Sequence, residues 1–323
     1  MQKIIRRFII ALSLLLLLVL PSVSATALQE DASTQLHIIY EYGETPVSDA
    51  EVSIYRVGNL LPGGGTYLVS PYSGYPLDDS LLYSDPRQMA SLLYNYILYN
   101  QAAPDSVLTT DADGRTSGSF RNGLYLIVPQ KRAGSEGIFR SEPTLISLPY
   151  RANAGDDWSY EVTYLPKCSF TPNSRVGTMN LYVTKKWEND NQSRRPGNIT
   201  VCLYRDNTLV EEVTLNEENR WLYHWQDLSE YYDWRVVEKP LSGYTVTMQG
   251  NVGSVLLTNT GIEITPDETP EQSDPTTPTT PSGGGSKLPQ TGVLWWPVPV
   301  LLCLGFALIA LGTGIRRGAD YEA

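Results

Sequence analysis

An alternation of apolar and polar residues with period two runs through most of the chain, from about Ser33 to Thr258. The alternating segments are rich in Val, Ile, Thr and Tyr, and residues that favour turns separate them. Because successive side chains of a strand point to opposite faces of a sheet, this pattern is typical of half-buried strands. The sequence therefore predicts an all-β protein in which the apolar faces of sheets pack together.

The first group of predicted strands, residues 33–167, has one helical interruption. At about residues 87–100 the apolar residues recur with helical spacing, and Asp85 and Pro86 suit the cap and the first turn. The predicted buried stripe is Met89, Leu92, Leu93, Tyr96 and Ile97. This unit is therefore predicted to be a β-sandwich with a helical insertion. Its strands are predicted at 35–42, 47–57, 107–110, 116–121, 123–128, 144–149 and 158–165.

A second, more compact unit is predicted at residues 178–262. Turn signals at 205–207 and 216–219 separate short alternating segments. Such spacing favours an immunoglobulin-like sandwich. The strands are predicted at 179–187, 199–205, 208–215, 221–225, 234–238, 244–248 and 254–258.

The C-terminal part has a different composition. Residues 265–287 are Pro, Thr, Asp, Glu, Ser and Gly with almost nothing apolar, which predicts an extended linker that cannot fold alone. An apolar run follows at residues 293–315, with Arg316 and Arg317 after it. Roughly 23 residues at about 1.5 Å each are enough for a ~30 Å hydrocarbon core. The sequence therefore predicts a transmembrane helix with the basic tail inside the cell and the preceding chain outside.

The N-terminal end predicts export as well. Lys3, Arg6 and Arg7 precede an apolar stretch at residues 8–20. Ala25-Thr26-Ala27 then provides a cleavage signal, so residues 1–27 are predicted to be a secretory signal peptide cut at Ala25 or Ala27. An uncleaved N-terminal anchor is the alternative.

The overall charge limits the partners. The chain carries a formal net charge of −11 at pH 7, which argues against binding nucleic acid or an anionic membrane surface. His37 and His224 lie far apart without metal-ligand spacing, so neither a metal site nor a cofactor is predicted. No acidic residue falls in a recognisable nucleophile–base motif, so an enzyme is the weakest interpretation.

The three cysteines do not predict a disulfide scaffold. Cys303 falls in the apolar run, which leaves Cys168 and Cys202. Cys202 alternates with Val201 and Leu203, so it is predicted to point outward from the second sandwich. A 168–202 bridge is the less favoured alternative.

A motif stands immediately before the apolar run, at Leu288, Pro289, Gln290, Thr291 and Gly292. With the apolar run and the basic tail, this LPxTG pentapeptide resembles the cell-wall sorting signal of Gram-positive surface proteins, over residues 288–323. The resemblance implies that a sortase cleaves the Thr291–Gly292 bond through a thioacyl intermediate and transfers Thr291 to an amine of peptidoglycan. It also implies that residues 293–315 hold the chain in the membrane only before processing, and that the 265–287 linker crosses the wall. An ordinary membrane anchor with a chance match is the alternative.

The second unit contains the segments Val183-Thr184-Lys185-Lys186-Trp187, Val237-Glu238-Lys239-Pro240 and Thr258-Asn259-Thr260. Through these segments it resembles the B-type domains of Gram-positive collagen adhesins and pilins, whose fold is prealbumin-like. Many members form an internal amide between a lysine of the first strand and an asparagine of the last, assisted by a carboxyl. By position these are Lys185, Asn259 and Glu238. Strand alternation places Lys185 on the same face as Val183 and Trp187. The alternative is a simple buried ion pair between Lys185 and Glu238.

The first unit contains Pro46-Val47-Ser48-Asp49-Ala50, Ile54-Tyr55-Arg56-Val57 and Gly123-Leu124-Tyr125-Leu126, through which it loosely resembles N-terminal pilin modules. No internal amide is predicted there because its first strand has no lysine. Its end fits the pilin motif WxxxVxVYPK at Trp158, Val162, Pro166 and Lys167, whereas Tyr164 and Leu165 depart from it. The resemblance implies that Lys167 accepts the threonine of another pilin subunit. An ordinary exposed lysine is the alternative.

Together these features predict a cell-wall pilin subunit processed by sortase, either a shaft subunit linked through Lys167 or a minor pilin attached only through Thr291. The alternative is a monomeric wall-anchored adhesin whose first unit binds a host or matrix ligand. Its candidate surface is the loop of Gly63, Gly64 and Gly65 with the tyrosine-rich stretch 67–83, since exposed aromatic residues suit binding surfaces. The same residues are also compatible with a long connecting loop.

Overall fold

The computed structural model describes residues 27–29, 31–153, 156–193, 195–251 and 253–262. The predicted signal sequence (apart from Ala27), linker, sorting signal and transmembrane helix lie outside the described residues. Among those described, no helix is long and apolar enough to cross a membrane.

The strands of the first sandwich are β1 (Ser33–Ile39), β2 (Glu41–Tyr42), β3 (Thr45–Pro46), β4 (Glu51–Leu60), β5 (Thr66–Leu68), β6 (Ser106–Thr109), β7 (Arg115–Arg121), β8 (Gly123–Pro129), β9 (Arg132–Ala133), β10 (Gly137–Arg140), β11 (Thr144–Leu148), β12 (Glu161–Tyr164) and β13 (Ser169–Pro172). The helices are α1 (Leu81–Ser84) and α2 (Pro86–Asn100), with short 3-10 turns at Tyr72–Gly74 and Asn173–Arg175.

Two sheets face each other in the first sandwich. One has the order β12-β1-β7, and the other has the order β11-β8-β4-β5 with β6 beside β4. Leu36 and Ile38 of β1 meet Ile54 and Ile127 in the core between these sheets. β1 and β12, the first strand and one of the last, run parallel. Every residue of β8 is buried, since α2 covers the face of its sheet that points away from β1.

The helix α2 agrees closely with the sequence prediction. Asp85 caps it, with its Oδ1 accepting a hydrogen bond from the Gln88 backbone N at 3.1 Å, and Pro86 occupies the first turn. The predicted buried stripe is confirmed, because all five of its residues are buried. Tyr94 and Asn95 are buried as well, so α2 is covered over more of its circumference than one stripe.

The strands of the second sandwich are β14 (Thr178–Glu188), β15 (Asn198–Arg205), β16 (Thr208–Asn216), β17 (Leu222–Ser229), β18 (Trp234–Glu238), β19 (Tyr244–Asn251) and β20 (Ser254–Gly261). All of the predicted strands are therefore present, with shifted ends. They form two sheets, β17-β14-β20-β19 and β16-β15-β18. Val183, Val201 and Leu257 lie in the core between them. The predicted all-β fold of two sandwiches with a helical insertion is confirmed.

The two sandwiches belong to one compact unit. The helix α2 packs against β18 and β19 as well as against its own sandwich. Two ion pairs also join the first sandwich to the second: Arg140 Nε lies 2.5 Å from Asp233 Oδ1, and Lys131 Nζ lies 2.7 Å from Asp206 Oδ2.

The predicted outward orientation of Cys202 is confirmed. Cys202 does point away from the core of the second sandwich, but it is fully buried with Tyr204 and Val237 because Leu98 and Tyr99 of α2 cover that face. Cys168 and Cys202 are both free thiols.

Several elements of the first sandwich were not predicted. The strands β5, β9, β10 and β13 have two to four residues each, which is too short for alternation to be recognised. The strand β13 pairs with β10, so pairing in this sandwich continues beyond residue 167 to Pro172. The predicted strand at 47–57 begins only at Glu51, because Val47 and Ala50 pack with Tyr40 in a separate small cluster.

Candidate functional site

Three strands bring the predicted crosslink residues together. β14 and β20 are parallel neighbours in which Trp187 stands opposite Asn259. Lys185, two residues earlier on β14, shares the inner face with Trp187. In the facing sheet, Glu238 ends β18 and pairs with Val201 of β15. The three side chains therefore meet inside the sandwich, between the two sheets.

The polar groups of this cluster are in contact and almost completely buried. Lys185, Glu238 and Asn259 are 6%, 3% and 1% exposed. Lys185 Nζ lies 3.1 Å from Glu238 Oε2, and Asn259 Nδ2 donates a hydrogen bond to Glu238 Oε1 at 2.5 Å. Glu238 thus contacts both the amine and the amide.

Burial changes the protonation of both ionisable groups. It lowers the pKa of Lys185 to about 8, and the nearby Glu238 carboxylate opposes part of that change. Burial raises the pKa of Glu238, although Lys185 and Asn259 oppose the rise. Both directions have the same cause, since removal from water disfavours charge. Burial therefore increases the neutral fraction of both the amine and the carboxyl relative to the same groups in water.

The hydrogen bonds of the cluster are incomplete. Among the described residues, Lys185 Nζ, Glu238 Oε2 and Asn259 Oδ1 have no well-aligned hydrogen-bond partner. Lys185 Nζ and Glu238 Oε2 still face each other at 3.1 Å, so Asn259 Oδ1 is the atom whose cost of burial needs an explanation. If Glu238 is protonated, rotation of the Asn259 amide by half a turn presents Oδ1 to the carboxyl proton. A simple ion pair between Lys185 and Glu238 leaves the buried Asn259 Oδ1 unexplained.

Aromatic side chains enclose the amine. Lys185 Nζ lies 4.8 Å from the centroid of the Trp187 ring. Trp187 in turn makes edge contacts with Trp221 and Tyr244, each at 5.2 Å between ring centroids. These rings exclude water from the amine. The sequence did not assign this role to Trp221 or Tyr244.

The predicted linkage residues lie at the end of the first sandwich. Trp158, Val162 and Pro166 are buried, whereas Lys167 is exposed in the connection between β12 and β13. Ser141 Oγ donates a hydrogen bond to the Lys167 carbonyl at 2.9 Å, which fixes the backbone there. Arg151 stacks on Trp158, with its Cζ 4.3 Å from the ring centroid. The Lys167 amine is therefore presented at the surface by an ordered segment.

The tyrosine-rich stretch proposed as a ligand surface is mostly structural. Tyr72 and Leu77 are buried in the core around α2, and Tyr75 packs against it. Among the tyrosines of this stretch, only the two at its ends are exposed, Tyr67 at 44% and Tyr83 at 65%. The expectation of an exposed aromatic surface is therefore wrong for the middle of the stretch, because these residues pack against α2.

Residues 181–260 match the Cna protein B-type domain family. This match confirms the resemblance predicted for the second unit, and it covers that unit alone. No curated protein matches the chain.

Solved structures give weaker similarities. A single B repeat of the collagen-binding surface protein Cna of Staphylococcus aureus is 18% identical, covering 72% of this chain and 100% of that chain, with a TM-score of 0.25. The minor pilin GBS52 of Streptococcus agalactiae is 15% identical over 77% of this chain and 100% of that one, with a TM-score of 0.25. The shaft pilin SpaA of Lactobacillus rhamnosus GG is 12% identical over 73% and 100%, with a TM-score of 0.27.

Proposed function

We propose that this chain is a structural protein of the Gram-positive cell surface and that its second sandwich is closed by an internal amide between Lys185 and Asn259. The observation that carries the proposal is the buried contact of Lys185 and Asn259 with one carboxyl, Glu238. The match of residues 181–260 to the Cna protein B-type domain family supports it.

The reaction is an exchange of amide partners. The neutral Lys185 Nζ attacks Asn259 Cγ, and the protonated Glu238 donates a hydrogen bond to Oδ1 as negative charge develops there. The new Nζ–Cγ bond forms, the Cγ–Nδ2 bond breaks, and Nδ2 leaves as ammonia after it gains a proton that the lysine amine loses, with Glu238 as the relay. Packing of β14 against β20 holds the reacting groups together, which replaces a bimolecular encounter.

Intact-mass measurement tests this crosslink. We expect the purified chain to be lighter than its sequence mass by one ammonia molecule, after allowance for signal-peptide removal. The Asn259→Ala and Lys185→Met variants should show their full sequence masses. Lys186→Ala is the matched control, since Lys186 is exposed and ion-paired with Glu188, and it should keep the deficit. A wild-type chain of full mass would refute the crosslink.

We further propose that the chain is attached to the wall through Thr291 after cleavage by a sortase at Thr291–Gly292, and that Lys167 joins it to other pilin subunits. The sorting-signal residues Leu288 to Gly292 support the first part. The exposure of Lys167 on an ordered connection supports the second, since a transpeptidase must reach the amine.

Wall extracts boiled in detergent separate a pilin from a monomeric adhesin. In the bacterium that makes this protein, we expect a ladder of covalent multimers that disappears in Lys167→Ala. The Lys186→Ala variant, which also lacks one exposed lysine, should keep the ladder. A single band from the unmodified chain would instead support the adhesin, with a host or matrix ligand bound by the first unit.

A further inference from the structure

The second sandwich has an open side next to its reactive residues. β18 is an edge strand of one sheet, and β19 is an edge strand of the other. Glu238 is the last residue of β18, and Asn259 pairs with Val246 of β19. A gap between these two edges would bring water close to both the carboxyl and the amide.

The helix α2 of the first sandwich bridges these two edges. Asn95 Nδ2 donates a hydrogen bond to the Val236 carbonyl of β18 at 3.3 Å and lies 3.6 Å from Met248 Sδ of β19. Gln88 Oε1 accepts a hydrogen bond from the Met248 backbone N at 3.3 Å. The Pro76 carbonyl, before the helix, accepts one from the Val246 backbone N at 2.9 Å. The first sandwich thus satisfies backbone groups on both edge strands.

The contact is tight enough to exclude water. Asn95 is 3% exposed and Tyr96 is 2% exposed. Leu98 and Tyr99 continue the contact over Cys202 and Val237 on the outer face of β15 and β18. Burial raises the pKa of Tyr96, and the charge of Glu238 adds to the rise, so the carboxyl lies close to the helix.

We propose that α2 seals the crosslinking site, so that amide formation in the second sandwich depends on the docking of a helix that belongs to the first. Asn95 and Tyr96 are positioning residues in this view, because they exclude water and do not react. The physical reason is that water would restore the charged lysine and carboxylate, whereas attack needs the neutral pair. The inference rests on the proposed Lys185–Asn259 crosslink.

The test compares two double variants of the full chain. Leu98→Glu with Tyr99→Glu places carboxylates against the outer face of β15 and β18 and should lift the helix. Leu98→Met with Tyr99→Phe keeps the apolar contact. Each chain is synthesised in a cell-free system with detergent, and the loss of ammonia is followed by intact mass. We expect the Glu pair to slow the reaction at least about tenfold, the effect of one unit of pKa on the neutral population, and the conservative pair to keep the wild-type rate.

Circular dichroism and protease resistance are measured on the same samples, below the unfolding temperature of each variant. If the variant with the two Glu substitutions does not fold, Asn95→Ala becomes the test of the proposal. It removes the side chain that contacts both β18 and β19, and it should also slow the reaction. If the folded variants react at the wild-type rate, the proposed role of α2 is refuted, whereas the proposed crosslink is not affected. A wild-type chain that never loses ammonia removes the crosslink itself, and the seal with it.

Discussion

Replacement of Lys185 by Met is expected to lower the unfolding temperature of the second sandwich by about 20 °C. An amide between β14 and β20 closes a loop of roughly 75 residues, and the chain-entropy treatment of crosslinks assigns about 4.5 kcal/mol to such a loop. The sandwich is small, so each kcal/mol corresponds to about 4–8 °C. Differential scanning calorimetry of the wild type and the variant measures the difference.

A double-mutant cycle separates this crosslink from a buried ion pair. If Lys185 and Asn259 are joined, Lys185→Met and Asn259→Leu should each cost nearly the same stability, and the two together should cost little more, because either one removes the bond. The ion-pair interpretation predicts instead unequal effects, with a large one for Lys185→Met, which leaves the Glu238 charge buried and unpaired, and a smaller one for Asn259→Leu. Additive effects would therefore exclude the crosslink.

Local sequence patterns predicted the reactive strands well. Alternation alone placed Lys185 on the inner face with Val183 and left Lys186 on the outer face, and the burial of the two lysines agrees. The cap at Asp85 and the stripe from Met89 to Ile97 likewise depend only on residues close in sequence. These features could be predicted because strand and helix periodicity are local properties.

The relation between the sandwiches could not be predicted in the same way. Alternation predicted the outward orientation of Cys202 but not its burial, because it gives the face of a strand and not what covers that face. The burial of Asn95 and Tyr94 could not be predicted either, since β18 and β19, which pack against α2, come more than a hundred residues later in the chain. One signal was available: Arg87 is the only charged residue of α2. A helix with so few charges is typically covered on more than one side.

In the proposed arrangement, the seal and the crosslink together explain how each of the two sandwiches is held together. The force-bearing strands of the second sandwich would be its first and last, β14 and β20, which are parallel neighbours and carry the proposed amide. The first sandwich also pairs β1 in parallel with β12, but the inner positions there are Leu36, Ile38 and Val162, which cannot form an amide. Its cohesion therefore depends on packing, including packing against α2. In the proposed arrangement the same helix supports the unlinked sandwich and protects the chemistry of the linked one.

Replacement of Glu238 by Gln should slow amide formation by about a hundredfold or more, the usual effect of removing a positioned acid–base group. The introduced glutamine would keep the size of the side chain and can still donate a hydrogen bond to Asn259 Oδ1, but it cannot take a proton from the lysine amine. Intact mass measured over time on the newly made chain gives the rate.

A second glutamate of the same sandwich, Glu212, provides the control for this variant. Glu212 accepts a hydrogen bond from Lys239 through half-exposed side chains, outside the cluster of Lys185, Glu238 and Asn259, so Glu212→Gln should react like the wild type. Comparison of Glu238→Gln with Glu238→Ala then separates two roles of one carboxyl. If both variants are equally slow, proton transfer dominates. If the Gln variant retains most of the rate, Glu238 acts chiefly by stabilising charge on Oδ1, and the proton relay through this residue is wrong.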